Sequence, residues 1–372
     1  LKVKIDSRRK ILLSLCIFSV IYSLFFINIY QYPILTDGQG YYAYGVNLYK
    51  GNGYSYNASP PFKPSNLREP AYPFFIYGLF KIFGISKSAI QIAQAILNGI
   101  IVVTTYYLAD LILDNKKKAL TAAFLTAVSP AIAGYAALVM SETLAAVYLI
   151  LALLSFLALL KEKKLTRAIG LSILAGFFCG CLALTKMAYF LFLPLICLAL
   201  FIISSDKFIK YKAVLCMAII FIGTLLPWFS FNNRIYGNPF FLTNRSGIVL
   251  TIKEQRVSST PKEILVSFIY PISEGAVQRY FPEEYKRITY NPVDGSGYKV
   301  AFDRYNSLIV QGYSEMEADR QLRIEALNKI KGNIFKYIIL SISDFHFMLY
   351  FEGMPLSQFT DFFKRETRLA IN

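Results

Sequence analysis

The chain is poor in the residues that most often build metal centres and disulfide frameworks. Among its 372 residues there is one histidine, His346. Its five cysteines, Cys16, Cys179, Cys181, Cys197 and Cys216, all fall inside apolar runs, where cysteine behaves as a small hydrophobe. Cys179-Gly180-Cys181 lacks a matching Cys or His pair, so neither a zinc site nor a disulfide scaffold is expected. Charge is scarce too, at 17% of residues against about a quarter in an ordinary soluble domain. What charge there is sums to +16, yet the basic residues form short clusters between apolar runs and no nucleic-acid module accompanies them. Nucleic acid is therefore not expected as a partner. The chain also lacks an internal repeat and any low-complexity tract.

What is abundant is apolar sequence, 55% of the chain, and a lipid bilayer is the solvent it implies. A helix needs about 20 residues to cross a hydrocarbon core of roughly 30 Å. Runs of that order occur near 11–30, 88–113, 119–139, 142–160, 168–186, 187–204, 213–231 and 333–352. The first follows a basic start but ends on bulky aromatics without a small-residue cleavage site, which predicts a retained helix rather than a signal peptide. With a cytoplasmic N-terminus, the basic clusters at 116–118, 161–167, 206–212 and 364–368 all fall on the cytoplasmic side. Counting the short run 71–84, which carries Lys81, as a span would move them outside, so it reads as an interfacial or re-entrant helix. Tyr41–Tyr49, rich in tyrosine, reads the same way.

The expected fold is an all-α integral membrane protein with about eight transmembrane helices, interfacial helices in a first extracytoplasmic loop (31–87) and a mixed extracytoplasmic segment. Its parts are a transmembrane core over 1–231, the extracytoplasmic segment 232–332, and a last transmembrane helix with a cytoplasmic tail over 333–372. Within 232–332 the stretch GIVLTI predicts a short strand. The stretch YSEMEADRQLRIEALNKIKGN, with Met316, Leu322, Ile324, Leu327 and Ile330, predicts a surface helix. The chain begins with Leu1 and stops soon after its eighth run, as a fragment or an unusual gene model would.

Ionisable residues gather at the predicted outer face. Asp37 follows the first run, Arg68 and Glu69 close the first loop, Glu142 opens the fourth run and Lys186 closes the fifth. Carboxylates and cations gathered at one face suit a site that activates a hydroxyl and binds a phosphate. Each also has a purely local reading. Asp37 beside Gly38 suits a turn, Arg68 can snorkel or pair with Glu69, Glu142 suits a helix start with Ser141 as cap, and Lys186 can simply end a span. Asp344 and His346 in the last run read as interhelical polar contacts.

The order of these features resembles the GT-C superfamily of polytopic membrane glycosyltransferases, especially the bacterial and archaeal branch related to protein O-mannosyltransferases and aminoarabinose transferases. The stretches that carry the resemblance are TDGQGYYAYGVNLYKGNGY, NLREPAYPFFIYGLFKIFG, LVMSETLAAVYLI, LTKMAYFLFLP and LPWFSFNNRIYGNPFFLTNRSG, spread over roughly residues 11–250. The resemblance implies a transferase in the plasma membrane that takes a sugar from a polyprenyl-phosphate-linked donor. It would pass that sugar to a lipid, glycan or protein acceptor at the extracytoplasmic face. It implies that Asp37 is a general base or a metal organiser and that Glu142 is a second catalytic carboxylate. Arg68 would hold the donor phosphate together with Lys186, which stands where relatives often carry arginine, and Tyr41 and Tyr42 would line that pocket. A divalent metal ion, on Asp37 and Glu142, is compatible with this set. Relatives often show an Arg-Asn pair after the Pro-Trp, whereas here Phe231 precedes Asn232; Glu69, Asn232 and Arg234 are candidates for supporting positions. The rival expectation is a transporter or lipid flippase without covalent chemistry, which mid-span charges and broken helices would favour.

Overall fold

The computed structural model describes residues 7–29, 33–34, 37–203, 207–237, 243, 245–288 and 297–351. The basic tail at 364–368 and the side chain of His346 lie outside the described residues. The protein is helical, with no strand among the described residues, and divides into two compact units, Leu1–Thr243 and Asn244–Asn372.

The first unit runs α1 (Ser7–Ile29), α2 (Asp37–Lys50), α3 (Ala71–Phe83), α4 (Lys87–Leu113), α5 (Lys116–Ala127), α6 (Pro130–Tyr135), α7 (Glu142–Lys161), α8 (Leu165–Thr185), a 3-10 turn Met187–Tyr189, α9 (Phe192–Ile203) and α10 (Lys207–Tyr236). Among the described residues α1, α4, α7, α8 and the Tyr211–Tyr236 part of α10 are long and apolar enough to cross a membrane. This is a multi-pass membrane protein. Close helix contact rests on small residues. A Cβ on Gly176 of α8 would lie 2.5 Å from the Met217 carbonyl oxygen of α10, and one on Gly180 would lie 2.7 Å from Thr224. In α4, Gly99 similarly admits Cys16 and Val20 of α1.

Two predicted runs are not single helices. The run 119–139 breaks at Val128–Ser129, because Pro130 cannot continue a helix but is well placed to start one, with Ser129 capping it. From Ala136 to Ser141 the backbone is irregular. The segment is buried, with Ala136, Ala137 and Val139 nearly inaccessible, so its carbonyls need partners, and α4 supplies them. Gln91 donates to Ala137 O at 2.6 Å and Gln94 to Leu138 O at 2.6 Å and Ala136 O at 3.2 Å, while Asn98 holds the preceding α6 through Ile132 O at 2.8 Å. The run 187–204 is likewise divided, into the Met187–Tyr189 turn and the 12-residue α9. The predicted short helices at 41–49 and 71–84 are present as α2 and α3, which pack so closely that a Cβ on Gly45 would meet Ile76 at 2.4 Å.

The second unit comprises α11 (Ser246–Arg256), α12 (Pro261–Ile269), α13 (Glu274–Tyr280), α14 (Pro282–Ile288), α15 (Gly297–Val310), α16 (Glu315–Lys331) and α17 (Ile334–Phe351). The stretch GIVLTI, read as a strand, lies inside α11, so the mixed segment is helical where described. The reason is a contact from far along the chain. Asp319 of α16 accepts from Ser246 Oγ at 2.9 Å and Gly247 N at 2.7 Å, stabilising the start of α11 as a carboxylate at a helix N-terminus does. The propensity of Val and Ile for strands yields to it. The helix read at 313–333 is α16, opened by a capping box in which Ser314 and Glu317 bond reciprocally. In α17, Asp344 pairs with Lys253 and Arg256 of α11, an interhelical contact of the kind expected.

Candidate active site

The first loop is a built structure, and it carries most of the site. Asn47 on α2 donates to Ser55 O at 2.7 Å and Asn57 O at 2.9 Å, folding the loop back over the helix. Tyr44 donates to Ser65 Oγ at 2.9 Å, and Asn66 donates to Asn232 Oδ1 at 3.0 Å, tying the loop to the end of α10. Tyr54 is the pivot. Its ring stacks on Tyr44 at 4.2 Å and meets Trp228 edge-on at 4.9 Å. Its hydroxyl donates to the carbonyls of Arg68 at 2.9 Å and Glu69 at 3.2 Å.

Those bonds aim Arg68 across the start of α2. Gly40 leaves room, since a Cβ there would lie 3.1 Å from Arg68 Nε. Arg68 Nη2 pairs with Asp37 Oδ1 at 2.6 Å, with the arginine side chain 9% exposed and the aspartate 37%. The guanidinium also sits 5.4 Å from the Tyr41 ring centroid, a cation over an aromatic face. Burial works against the Arg68 charge, and the neighbouring Asp37 and Tyr41 outweigh it, so its pKa stays above the usual value. Because Asp37 remains open to solvent, the pair is only half-buried, and losing the Asp37 charge costs less than breaking a fully buried pair would.

The second ion pair comes from the far side. Lys186, just past α8, places Nζ 2.8 Å from Glu142 Oε1 at the start of α7. Burial lowers the Lys186 pKa and Glu142 raises it further, for a net rise. Tyr41 joins the two pairs, because its hydroxyl accepts from Ser141 Oγ at 3.3 Å, one residue before Glu142. Burial first, and then the charge of Glu69, push the Tyr41 pKa up to about 12, so the phenol keeps its proton at any physiological pH. Glu69 accepts from Met187 N at 3.0 Å, and burial raises its pKa despite that bond. Within the two ion pairs, Arg68 Nη1 and Glu142 Oε2 are buried without a partner, one a donor and the other an acceptor.

Asp37, Tyr41, Arg68, Glu69, Glu142 and Lys186 thus form one cluster, and Asn232 supports it through Asn66. Tyr42 and Arg234 do not join. Tyr42 packs against Phe80 at 5.6 Å between α2 and α3, and Arg234 is exposed. Asp37 is the first residue of α2 rather than a turn residue, and Ser141 makes no side-chain cap bond, its hydroxyl being turned to Tyr41. Each of the two candidate metal carboxylates faces a cation, and among the described residues no three His, Cys, Asp or Glu side chains gather as a metal centre would require. Reading the sequence missed Tyr54, Tyr72 and the amides of α4. The last had a visible signal, for Gln91, Gln94 and Asn98 recur at helical spacing in an otherwise apolar run. Tyr72, whose hydroxyl donates to Gln94 Oε1 at 2.6 Å and whose ring meets Tyr41 edge-on at 5.1 Å, connects those amides to the cluster.

Residues 63–230 match the family described as dolichyl-phosphate-mannose-protein mannosyltransferase. The match bears out the resemblance to GT-C membrane glycosyltransferases. It takes in Arg68, Glu69, Glu142 and Lys186 and begins after Asp37, Tyr41 and Tyr42. No curated protein matches the chain.

Proposed function

We propose that this GT-C-type membrane glycosyltransferase moves a sugar from a polyprenyl-phosphate-linked donor to an acceptor hydroxyl at the extracytoplasmic face of the cell membrane. Asp37 takes the proton of the acceptor hydroxyl. The acceptor oxygen then bonds to the anomeric carbon as the bond from that carbon to the phosphate oxygen breaks. Arg68 and Lys186 stabilise the negative charge that returns to the leaving polyprenyl phosphate, and Glu142 is the second carboxylate at the reacting centre. The observation that carries this reading is the guanidinium of Arg68, which holds Asp37 with one nitrogen while the other, buried, is left unpartnered. An arginine fork of this kind can take an anion oxygen and keep the base oriented at once.

Sidedness draws support from the hairpin of α7 and α8. Glu142 and Lys186 stand at its open end. Its connecting end carries Lys161, Lys163, Lys164 and Arg167, and Lys161 Nζ donates to Leu111 O at 2.6 Å near the basic start of α5. About 20 residues of helix, roughly 30 Å, separate the two ends. If the basic end is cytoplasmic, as positive loops usually are, the site is outside. In this reading 232–332 is the extracytoplasmic segment and 333–372 supplies a last span and a cytoplasmic tail.

Broken helices favour the rival, a transporter or flippase, and among the described residues the break between α5 and α7 is the longer of the two. The carbonyls of that break are held by Gln91 and Gln94, which speaks for a fixed support rather than a gate. Mass spectrometry of lipids retained in mild detergent by wild-type protein and by Arg68→Ala tests the donor site, and release of free polyprenyl phosphate when an acceptor is added separates transfer from flipping. A polyprenyl phosphate or its glycosyl ester bound by the wild type and lost in the variant is the expected result. Absence of such a lipid from both, even when supplied in excess, would leave the transporter as the better reading.

A further inference from the structure

Glu69 follows Arg68 in the chain, yet its carboxylate is turned to a different element. Glu69 Oε1 accepts from Met187 N at 3.0 Å, and Met187 opens the turn that follows Lys186. Lys186 is where α8 stops being a helix, with φ −147° and ψ 114°, an extended residue between a helix and a turn. Its own N–H still reaches Leu182 O at 2.9 Å, and its carbonyl accepts from Tyr189 N at 3.0 Å. The remaining group of the junction is the Met187 N–H. Its bond to Glu69 sets the direction of the peptide after Lys186, and with it the line along which the lysine side chain leaves for Glu142.

The other end of this contact is rigid. The carbonyls on both sides of the Glu69 nitrogen and Cα are held by the Tyr54 hydroxyl, the Tyr54 ring is packed against Tyr44 and Trp228, and Pro70 follows at the start of α3. The first loop, through one carboxylate, therefore fixes a residue more than a hundred positions away.

We infer that Glu69 is a positioning residue, whose carboxylate accepts the Met187 N–H and so holds Lys186 where it meets the donor phosphate. This rests on the proposed role of Lys186 as a phosphate ligand. The role needs the oxygen of Glu69 and not its charge, because the amide oxygen of glutamine accepts the same bond. A general base or metal ligand would need the charge. Oxygen and charge are thus separable by substitution.

The test is calorimetric binding of farnesyl phosphate, a short polyprenyl monophosphate, to the full chain in detergent micelles, with amide hydrogen exchange of the Met187 peptide read on the same samples. Glu69→Gln should bind within about two-fold of wild type and keep the Met187 amide protected. Glu69→Met, which keeps the shape and removes the acceptor, should expose that amide and weaken binding about ten-fold. Lys186→Ala should weaken it similarly, and the double variant Glu69→Met with Lys186→Ala should bind no worse than Lys186→Ala, since both act through one group. Equal loss in Glu69→Gln and Glu69→Met overturns the inference, as do additive losses in the double variant or a Met187 amide that stays protected in Glu69→Met. Lys186→Ala binding as tightly as wild type would instead strike at the phosphate role of Lys186.

Discussion

The two ends of the α7–α8 hairpin use their charges in opposite ways. At the connecting end Arg167 reaches Glu162 at 4.0 Å with its side chain 70% exposed, a contact that solvent screens and that contributes little. At the open end Lys186 and Glu142 meet at 2.8 Å, both mostly covered, beside the Arg68–Asp37 pair, whose buried guanidinium lies over the Tyr41 ring. At the first end the basic side chains are exposed to solvent. Charge at the second end is held in register, and each member has one place.

The sharpest way to break that contrast is to neutralise one carboxylate at each end. Asp37→Asn should lower sugar transfer by at least about 100-fold, the ordinary yield of a general base, while the protein folds and purifies normally. Asp114→Asn, at the C-cap of α4 on the basic side, should leave transfer unchanged. Asp114 sits at φ 46°, a left-handed conformation that asparagine adopts readily. Normal turnover by the Asp37 variant would remove the distinction between the two ends.

A smaller effect is expected from Gln94→Leu. The variant strands the carbonyls of Ala136 and Leu138 and the Tyr72 hydroxyl, each worth about 1–3 kcal/mol when left unpaired. Thermal unfolding should come earlier, and transfer should fall with it, because the released segment runs directly into Ser141 and Glu142. Unchanged stability would show that the open end does not depend on α4.

The smallest effect is also the most diagnostic, because its sign differs between the ends. Burial raises the folded pKa of Glu69, so its ionisation costs the folded state stability as pH rises through that value. Glu69→Gln should therefore gain thermal stability over wild type as pH rises, with no difference below about 4, where the acid is protonated folded or unfolded. The backbone N–H of Lys164 lowers the pKa of Glu162, opposed by slight desolvation and aided by the N–H of Lys163. Glu162 thus contributes stability above its unfolded pKa and loses it as pH falls, so Glu162→Gln should show a small loss at neutral pH that fades in acid. Melting curves of both variants across pH 4 to 8 check the pair of signs.

Much of this molecule was legible in one dimension. The long apolar runs became helices, the tyrosine-rich loop became α2 and α3, and Asp37, Arg68, Glu142 and Lys186 converged. The failures share a cause. The run 119–139 is uniformly apolar and hides the break that Ser129-Pro130 makes, and GIVLTI has strand composition but is helical through Asp319, more than seventy residues later. Tyr42 was grouped with Tyr41, although neighbours on a helix face different ways and Tyr42 turns to Phe80. Tyr54 gave no sign, since a tyrosine in a loop is ordinary until its hydroxyl is seen to hold two carbonyls.

The sequence by itself determined that the protein lives in a membrane, that it is helical, and which charged residues were too costly to bury without purpose. Hydropathy and charge are sums over local stretches, and local stretches are what a sequence displays. Which cation meets which carboxylate was decided only by the tertiary structure. Arg68 could have paired with its neighbour Glu69, but Tyr54 holds the intervening backbone so that one side chain goes to Asp37 and the other to Met187. Such pairing depends on distances across the fold, between groups separated by 31 and 118 positions in the chain.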